Sequence, residues 1–164
     1  MTIFVKNKHT LQIDEFKFRC CIGKNGSTRK KNEGDKKTPK GTFEIENLYY
    51  RKDRKKKPLT QLRCIEIKKN LGWCDDIRFP NKYNKPVKIE KKIKHEKLRR
   101  KDYKYDFFIP IKYNFKTPII NLGSCIFIHL TKNYNPTAGC VALREKDFLI
   151  MLKLIKKNSK IKIF

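Results

Sequence analysis

The sequence has no long apolar segment, and its apolar fraction of 38% is low for a globular protein. No run approaches the roughly 18 apolar residues that a membrane helix needs, so no transmembrane segment is expected. The first residues, MTIFVKNKHTLQI, contain no stretch apolar enough for a signal peptide and are predicted to begin a strand at the second residue. We therefore expect a mature form, a cytoplasmic protein, or one exported by a route that the sequence does not display.

Acidic residues are scarce. Asp and Glu number 16 against 42 Lys and Arg, which gives a formal net charge of +26. Such a charge is typical of nucleic-acid binding, of attraction to an acidic polymer, or of an AT-rich genome whose codons favour lysine. Only nine of the basic residues are Arg, the side chain that base-reading sites prefer. The sequence therefore favours codon usage over a specific nucleic-acid partner.

The sequence also lacks the patterns of a metal site. Its three histidines, His9, His95 and His129, are widely separated, and none of its six cysteines forms a Cys-x-x-Cys pair. Neither a metal nor an organic cofactor is expected. Cys20 and Cys21 are adjacent in a predicted strand, where successive side chains point to opposite faces, so we expect mostly free thiols.

What the sequence does contain is strand-like alternation. Apolar and polar residues alternate in residues 2–22, 42–45, 62–68 and 160–164, and further strands are predicted in residues 107–113 and 125–130. One helical stripe follows, made of Phe148, Leu149, Met151, Leu152 and Ile155. The length of 164 residues suits a single domain over residues 1–164, mainly β with a minor α part.

Residues 72–103 hold few apolar side chains and many Pro, Asn and charged residues. This composition predicts a long irregular insertion with a short helix near residues 94–101. Long insertions inside a compact domain are usually functional. We therefore interpret this segment as a lid over a substrate cleft.

Residues 125–143, CIFIHLTKNYNPTAGCVAL, carry the candidate chemistry. A buried strand would end near His129, and Cys140 would follow a polar loop just before the predicted helix. A cysteine nucleophile needs a base and a lowered thiol pKa, which a helix amino terminus can supply. Gly139 would let the backbone approach a substrate carbonyl closely. The alternative is that Cys140 is a buried structural thiol.

This segment resembles the active-site motif of the L,D-transpeptidase catalytic domain (YkuD-type) through His129, Thr137, Gly139 and Cys140. A second motif, Gly34-Asp35 followed by Thr38-Pro39-Lys40-Gly41-Thr42-Phe43, is similar to an upstream stretch of the same family. The resemblance covers residues 1–164 and implies the family's β-sandwich with a helix in its carboxyl-terminal half. It implies Cys140 as nucleophile, His129 as base oriented by a backbone carbonyl, and Gly139 and Thr137 as support for the oxyanion.

The middle of the chain resembles a short single-domain branch of the family found in Gram-negative bacteria. It suggests substrate-binding roles for seven residues: Trp73, Asp75, His95, Arg100, Tyr113, Asn114 and Arg144. Core packing for the aromatic residues and turn capping for the polar ones is the alternative. Ala138 stands where the common motif has His, so the family's carboxylate-binding contacts are not transferred to this chain.

The resemblance implies peptidoglycan stem peptides as donor and acceptor, no cofactor, a monomer, and a place at the periplasmic face of the cell envelope. Transfer of a stem to an amine would form a cross-link. Water as acceptor would make the protein an L,D-carboxypeptidase, and a free D-amino acid would give exchange. The sequence is also compatible with a non-catalytic wall-binding module, a basic nucleic-acid binder or a different cysteine hydrolase.

Overall fold

The computed structural model describes residues 1–164, with fifteen strands and one α-helix. The strands are β1 (Thr2–Val5), β2 (Thr10–Ile13), β3 (Phe16–Arg19), β4 (Ser27–Thr28), β5 (Thr38–Pro39), β6 (Gly41–Glu44), β7 (Leu48–Tyr50), β8 (Cys64–Glu66), β9 (Leu71–Cys74), β10 (Pro86–Lys88), β11 (His95–Lys97), β12 (Phe107–Pro110), β13 (Phe127–Leu130), β14 (Val141–Leu143) and β15 (Lys160–Ile163). The helix α1 spans Glu145–Leu154. The predicted mainly β class is confirmed. Helix α1 has neither the length nor the apolar character that crossing a bilayer requires.

Two five-stranded sheets form the body of the domain. The first has the order β3-β2-β1-β15-β6 and the second β14-β13-β12-β7-β8. Alternation places residues such as Ile3, Val5 and Ile161 inward from the first sheet, where they meet Ile128 and Leu130 of the second. The resulting cluster of 25 buried residues is the main core of the domain.

Helix α1 packs into this main core. The predicted apolar stripe is confirmed, because Phe148, Met151, Leu152 and Ile155 are all fully buried. The prediction that the helix follows Cys140 directly is wrong. Strand β14 occupies Val141–Leu143, and α1 begins only at Glu145, so the amino terminus of the helix does not adjoin the thiol.

Residues 72–103 contain three strand segments that the sequence did not predict, and the rest of the range lies in turns and loops. The segment contributes to a three-stranded antiparallel sheet with the order β10-β9-β11, and the helix predicted near residues 94–101 is replaced by β11 (His95–Lys97). Composition missed β10 and β11 because their side chains are exposed or only partly buried, so no buried apolar face marks them.

The small sheet packs on the outer face of the second five-stranded sheet. Trp73, 1% exposed, and Leu98 meet Phe108 and Phe127 in a second core of eight buried residues. The Trp73 ring lies edge-on to Phe127 with centroids 5.1 Å apart. Cys140 belongs to this second core, so the small sheet covers the face that carries the candidate nucleophile.

Candidate active site

Strand β13 presents His129 on the same face as Phe127, away from the main core. Its four residues are all buried, as the sequence predicts for a strand apolar on both faces. In the parallel pairing of β13 with β14, His129 lies opposite Ala142. Cys140 precedes Ala142 by two residues and therefore lies on the same face as His129. Both side chains line one cavity.

A hydrogen-bonded turn holds the backbone before Cys140. The Thr137 hydroxyl donates to the Cys140 carbonyl oxygen at 2.6 Å and accepts from the Gly139 N–H at 3.1 Å. The Thr137 backbone is anchored in turn to Ile22 and Lys24, with both N···O distances 2.9 Å. Thr137 is therefore a structural support of the turn that precedes Cys140.

At Gly139 the motif that contains Cys140 lies against the upstream motif of residues 34–43. The φ of Gly139 is +141°, and a Cβ there would lie 2.9 Å from the carbonyl oxygen of Lys37, in the loop that leads to Thr38 and Pro39. No other residue fits such a position without moving one of the two backbones.

Gly139→Ala is therefore expected to lower stability by about 1–3 kcal/mol and to displace Cys140. Gly34→Ala is the matched control, because Gly34 also has a positive φ, +76°, but no atom lies within 4 Å of its added Cβ. Urea unfolding and the alkylation rate of Cys140 measure the two effects. Equal losses in the two variants would show that strain at positive φ, and not the contact with Lys37, explains the glycine.

The Cys140 thiol is 8% exposed and hydrogen-bonded on both sides. Its Sγ accepts from the Phe127 N–H at 3.4 Å and donates to the Cys125 carbonyl oxygen at 3.2 Å. Burial raises the pKa of the Cys140 thiol to about 12. At neutral pH the resting thiol is therefore protonated.

His129 is oriented by a backbone carbonyl. Its Nδ1 lies 2.9 Å from the Leu130 oxygen, and since a carbonyl only accepts, Nδ1 carries the proton and Nε2 is the basic nitrogen. The Tyr105 ring packs edge-on against the imidazole, with centroids 5.4 Å apart. Burial lowers the pKa of His129 to about 4. A neutral thiol thus faces the same cavity as a neutral imidazole, an arrangement that favours general-base catalysis over a resting thiolate–imidazolium pair.

The lowered pKa of His129 predicts acid-sensitive stability. Between about pH 6.5 and pH 4 the unfolded chain binds a proton at this residue and the folded chain does not, so stability present above about pH 6.5 is lost as the pH falls. Between pH 7 and pH 5 this group alone is expected to cost about 2 kcal/mol.

Urea unfolding at the two pH values measures this loss. His129→Gln should remove the contribution, whereas His9→Gln, at an exposed position, should retain it. An unchanged pH dependence in His129→Gln would contradict the prediction.

The cavity has a volume of about 530 Å³. Of the seven residues predicted to bind substrate, Asp75 and Arg100 line the cavity. Thr137, His129 and Cys140 line it as well. Arg100 is paired with Asp102 at 2.6 Å and with Glu96 at 3.4 Å. Asp75 faces Lys94 at 3.3 Å and has a buried Oδ1 without a hydrogen-bond partner.

Trp73 and His95 lie outside the cavity lining. Trp73 is buried in the second core and donates to the Asn84 amide oxygen at 3.0 Å. The His95 ring packs over Gly72, and its Nδ1 lies 2.8 Å from the Ile93 carbonyl oxygen. These contacts hold the small sheet together.

The remaining three predicted residues also lie outside the lining. Tyr113 donates to the Leu122 carbonyl oxygen at 2.6 Å, and the Asn114 amide donates to the carbonyls of Ile119 and Gly123, both at 2.9 Å. Both residues organise the loop that precedes β13. Arg144 is exposed, and its guanidinium lies 5.2 Å from the centre of the Tyr134 ring.

The cavity is also lined by Lys31, Glu96, Tyr105 and Cys125, to which the sequence analysis assigned no role in the site. The Tyr105 ring packs on His129, and its hydroxyl donates to Glu96 at 3.1 Å. Cys125 has a φ of +55°, which aims its carbonyl at the Cys140 thiol. Cys125 could have been found from its position at the start of the motif of residues 125–143. The sequence gives no signal that distinguishes Lys31 from the other lysines of so basic a chain.

No group of three or more His, Cys, Asp or Glu side chains is arranged to hold a metal ion. The family model of the YkuD L,D-transpeptidase catalytic domain matches residues 1–163. Neither the curated proteins nor the solved structures contain a match to the chain.

Proposed function

The chain belongs to the family of L,D-transpeptidase catalytic domains, and we propose that it is a cysteine acyltransferase that cross-links peptidoglycan stem peptides. The observation that carries the proposal is the pairing of β13 with β14, which brings Cys140 and His129 to one cavity. Two observations support it: both residues resemble the family's motif, and the turn that Thr137 holds leads Cys140 into β14.

In the proposed mechanism, Nε2 of His129 takes the proton of Cys140 as Sγ attacks the carbonyl carbon of the donor amide. His129 then gives this proton to the nitrogen of the departing D-amino acid, and a thioester remains on Cys140. An amine of a second stem attacks the thioester and transfers a proton to His129. The new amide forms, and the thiolate of Cys140 recovers the proton.

The oxyanion would be stabilised by the backbone N–H of Cys140, which makes no hydrogen bond within the chain. The Gly139 N–H is already donated to Thr137, so Gly139 and Thr137 act by shaping this turn. No step requires a cofactor.

The cavity carries side chains of both signs, which suits the zwitterionic end of a stem peptide. Asp75 and Arg100 are the proposed contacts for its ammonium and carboxylate groups. Both come from residues 72–103, which supports the interpretation of that segment as a lid over the cleft. We place the protein at the periplasmic face of the envelope, where the net charge of +26 would favour a carboxylate-rich polymer.

Incubation with a defined disaccharide tetrapeptide, followed by mass spectrometry, tests the function. A cross-linked dimer supports transfer, a stem shortened by one residue supports L,D-carboxypeptidase activity, and incorporation of an added D-amino acid supports exchange. Cys140→Ala should abolish every product, and Cys64→Ala, at a half-buried thiol of β8, should abolish none. If the folded wild-type protein gives no product over a range of pH and acceptors, the transpeptidase proposal fails.

A further inference from the structure

The structure leaves the charge that forms on Cys140 without the stabilisation expected from the sequence. Strand β14 follows Cys140, so no helix amino terminus adjoins its Sγ. His129 is neutral at rest because burial disfavours its charged form. The Phe127 N–H is the hydrogen-bond donor that Sγ has in the structure, and a nearby fixed positive charge would stabilise a thiolate in so buried a place further.

Lys31 lies in the wall of this cavity and is 4% exposed. Its Nζ is 2.6 Å from Oδ1 of Asp35. The Asp35 carboxylate also accepts the N–H groups of Asn32 at 2.9 Å and Lys37 at 2.8 Å. Asp35 itself does not line the cavity, so the ion pair presents its positive end to the site and its negative end to the loop behind.

Gly123 makes room for the Lys31 side chain, and Gly139 lies next to its ammonium. A Cβ at Gly123, whose φ is +100°, would lie 2.7 Å from Cε of Lys31. A Cβ at Gly139 would lie 3.7 Å from Nζ, which places the ammonium beside the peptide that links Gly139 to Cys140. Any larger residue at position 123 would therefore displace the Lys31 side chain from its place beside Gly123.

The other cations of the cavity are less able to act on the thiol. Lys36, Lys94 and Lys104 are exposed, so solvent and salt screen their charges. Arg100 is bound to the carboxylates of Asp102 and Glu96. Lys31 is the one buried cation in the cavity wall, and buried charges interact more strongly than exposed ones.

The carboxylates that face the cavity oppose a negative charge on Cys140. Glu33 accepts from the hydroxyls of Ser124 and Tyr83, and Asp75 faces Lys94. Glu96 raises the pKa of Cys140, whereas Lys31 lowers it. The remaining titratable groups around the thiol are Cys21, Tyr103, Tyr105, Cys125 and His129.

We propose that Lys31 is a positioning residue of the site, whose ammonium, held by Asp35 and seated between Gly123 and Gly139, stabilises the negative charge that forms on Cys140 during acylation. The inference rests on the proposed role of Cys140 as the nucleophile. The proposal gives Asp35 of the upstream motif a role in the site, because its carboxylate holds the Lys31 ammonium in place.

The alkylation rate of Cys140 as a function of pH tests this role without any peptide substrate. Iodoacetamide is the probe, and modification of the Cys140 peptide is quantified by mass spectrometry. Lys31→Gln with Asp35→Asn replaces the ion pair by a neutral hydrogen-bonding pair. Removing the ammonium should raise the pKa of Cys140 further, and alkylation at neutral pH should fall about tenfold.

Two further variants separate charge from structure. Lys31→Arg keeps the charge and should retain the wild-type profile, and Lys36→Met, at an exposed cavity lysine, should also retain it. A folded double variant with the wild-type profile would overturn the proposal. So would a tenfold fall in the alkylation rate of Lys31→Arg, a result that stays informative if the double variant does not fold. Failure of peptide turnover alone would count against the proposed function and not against this role of Lys31.

Discussion

Cys140→Ser is expected to lose acyl transfer by a factor on the order of 10⁴ or more while the domain remains folded. The serine hydroxyl is far less acidic than the thiol, and its only general base, His129, is weak because burial lowers its pKa to about 4. In the wild type, incubation with the donor peptide should add the mass of the acyl group to the protein. In Cys140→Ser this adduct should be absent.

Cys64→Ser is the control for this experiment, because it makes the same atomic change at a half-buried thiol of β8. It should form the adduct at the wild-type rate. If the adduct formed in Cys140→Ser at an undiminished rate, another residue would be the nucleophile. Cys125, whose side chain lines the same cavity, would then be the first residue to examine.

His129→Gln is expected to lower the acylation rate at neutral pH by about 10²–10⁴-fold and to change its pH dependence. With His129 neutral above about pH 4, the wild-type rate should vary little from about pH 5 to about pH 8. Without the base, the rate should follow the thiolate fraction of a thiol whose pKa is raised to about 12. It should therefore rise about tenfold with each pH unit.

Single-turnover acylation at several pH values distinguishes these profiles. His95→Gln is the matched control, because His95 lies outside the cavity lining, and its profile should stay flat. A wild-type rate that itself rises tenfold per pH unit would contradict the general-base role and would leave His129 as a packing residue.

Elements with strong local patterns were correctly predicted. β13 is apolar on both faces and occupies the interior of its sheet, and β1 and β2 alternate as half-buried strands do. The apolar stripe of α1 is buried as its spacing requires. These features are local, because side-chain periodicity within a few residues determines them.

Elements that depend on distant partners were missed. β11 contains His95, Glu96 and Lys97, a composition that indicates no strand, and it forms because its backbone pairs with β9. β14 is only three residues long, too short to be recognised between the cysteine motif and the helix. Its presence separates the helix amino terminus from Cys140.

By itself, the sequence determined the mainly β class and the helix, and it singled out Cys140 and His129 as candidates, since these follow from local periodicity and short motifs. The tertiary structure alone decided which polar residues meet at the thiol. Asp75 and Arg100 reach the cavity, whereas Tyr113 and Asn114 stabilise a loop. Lys31 stands out among the many lysines only because the fold buries its side chain against Gly123 in the wall of the cavity that Cys140 lines. Burial, and the electrostatic strength it gives a charge, depends on the whole fold and cannot be read from a short stretch of sequence.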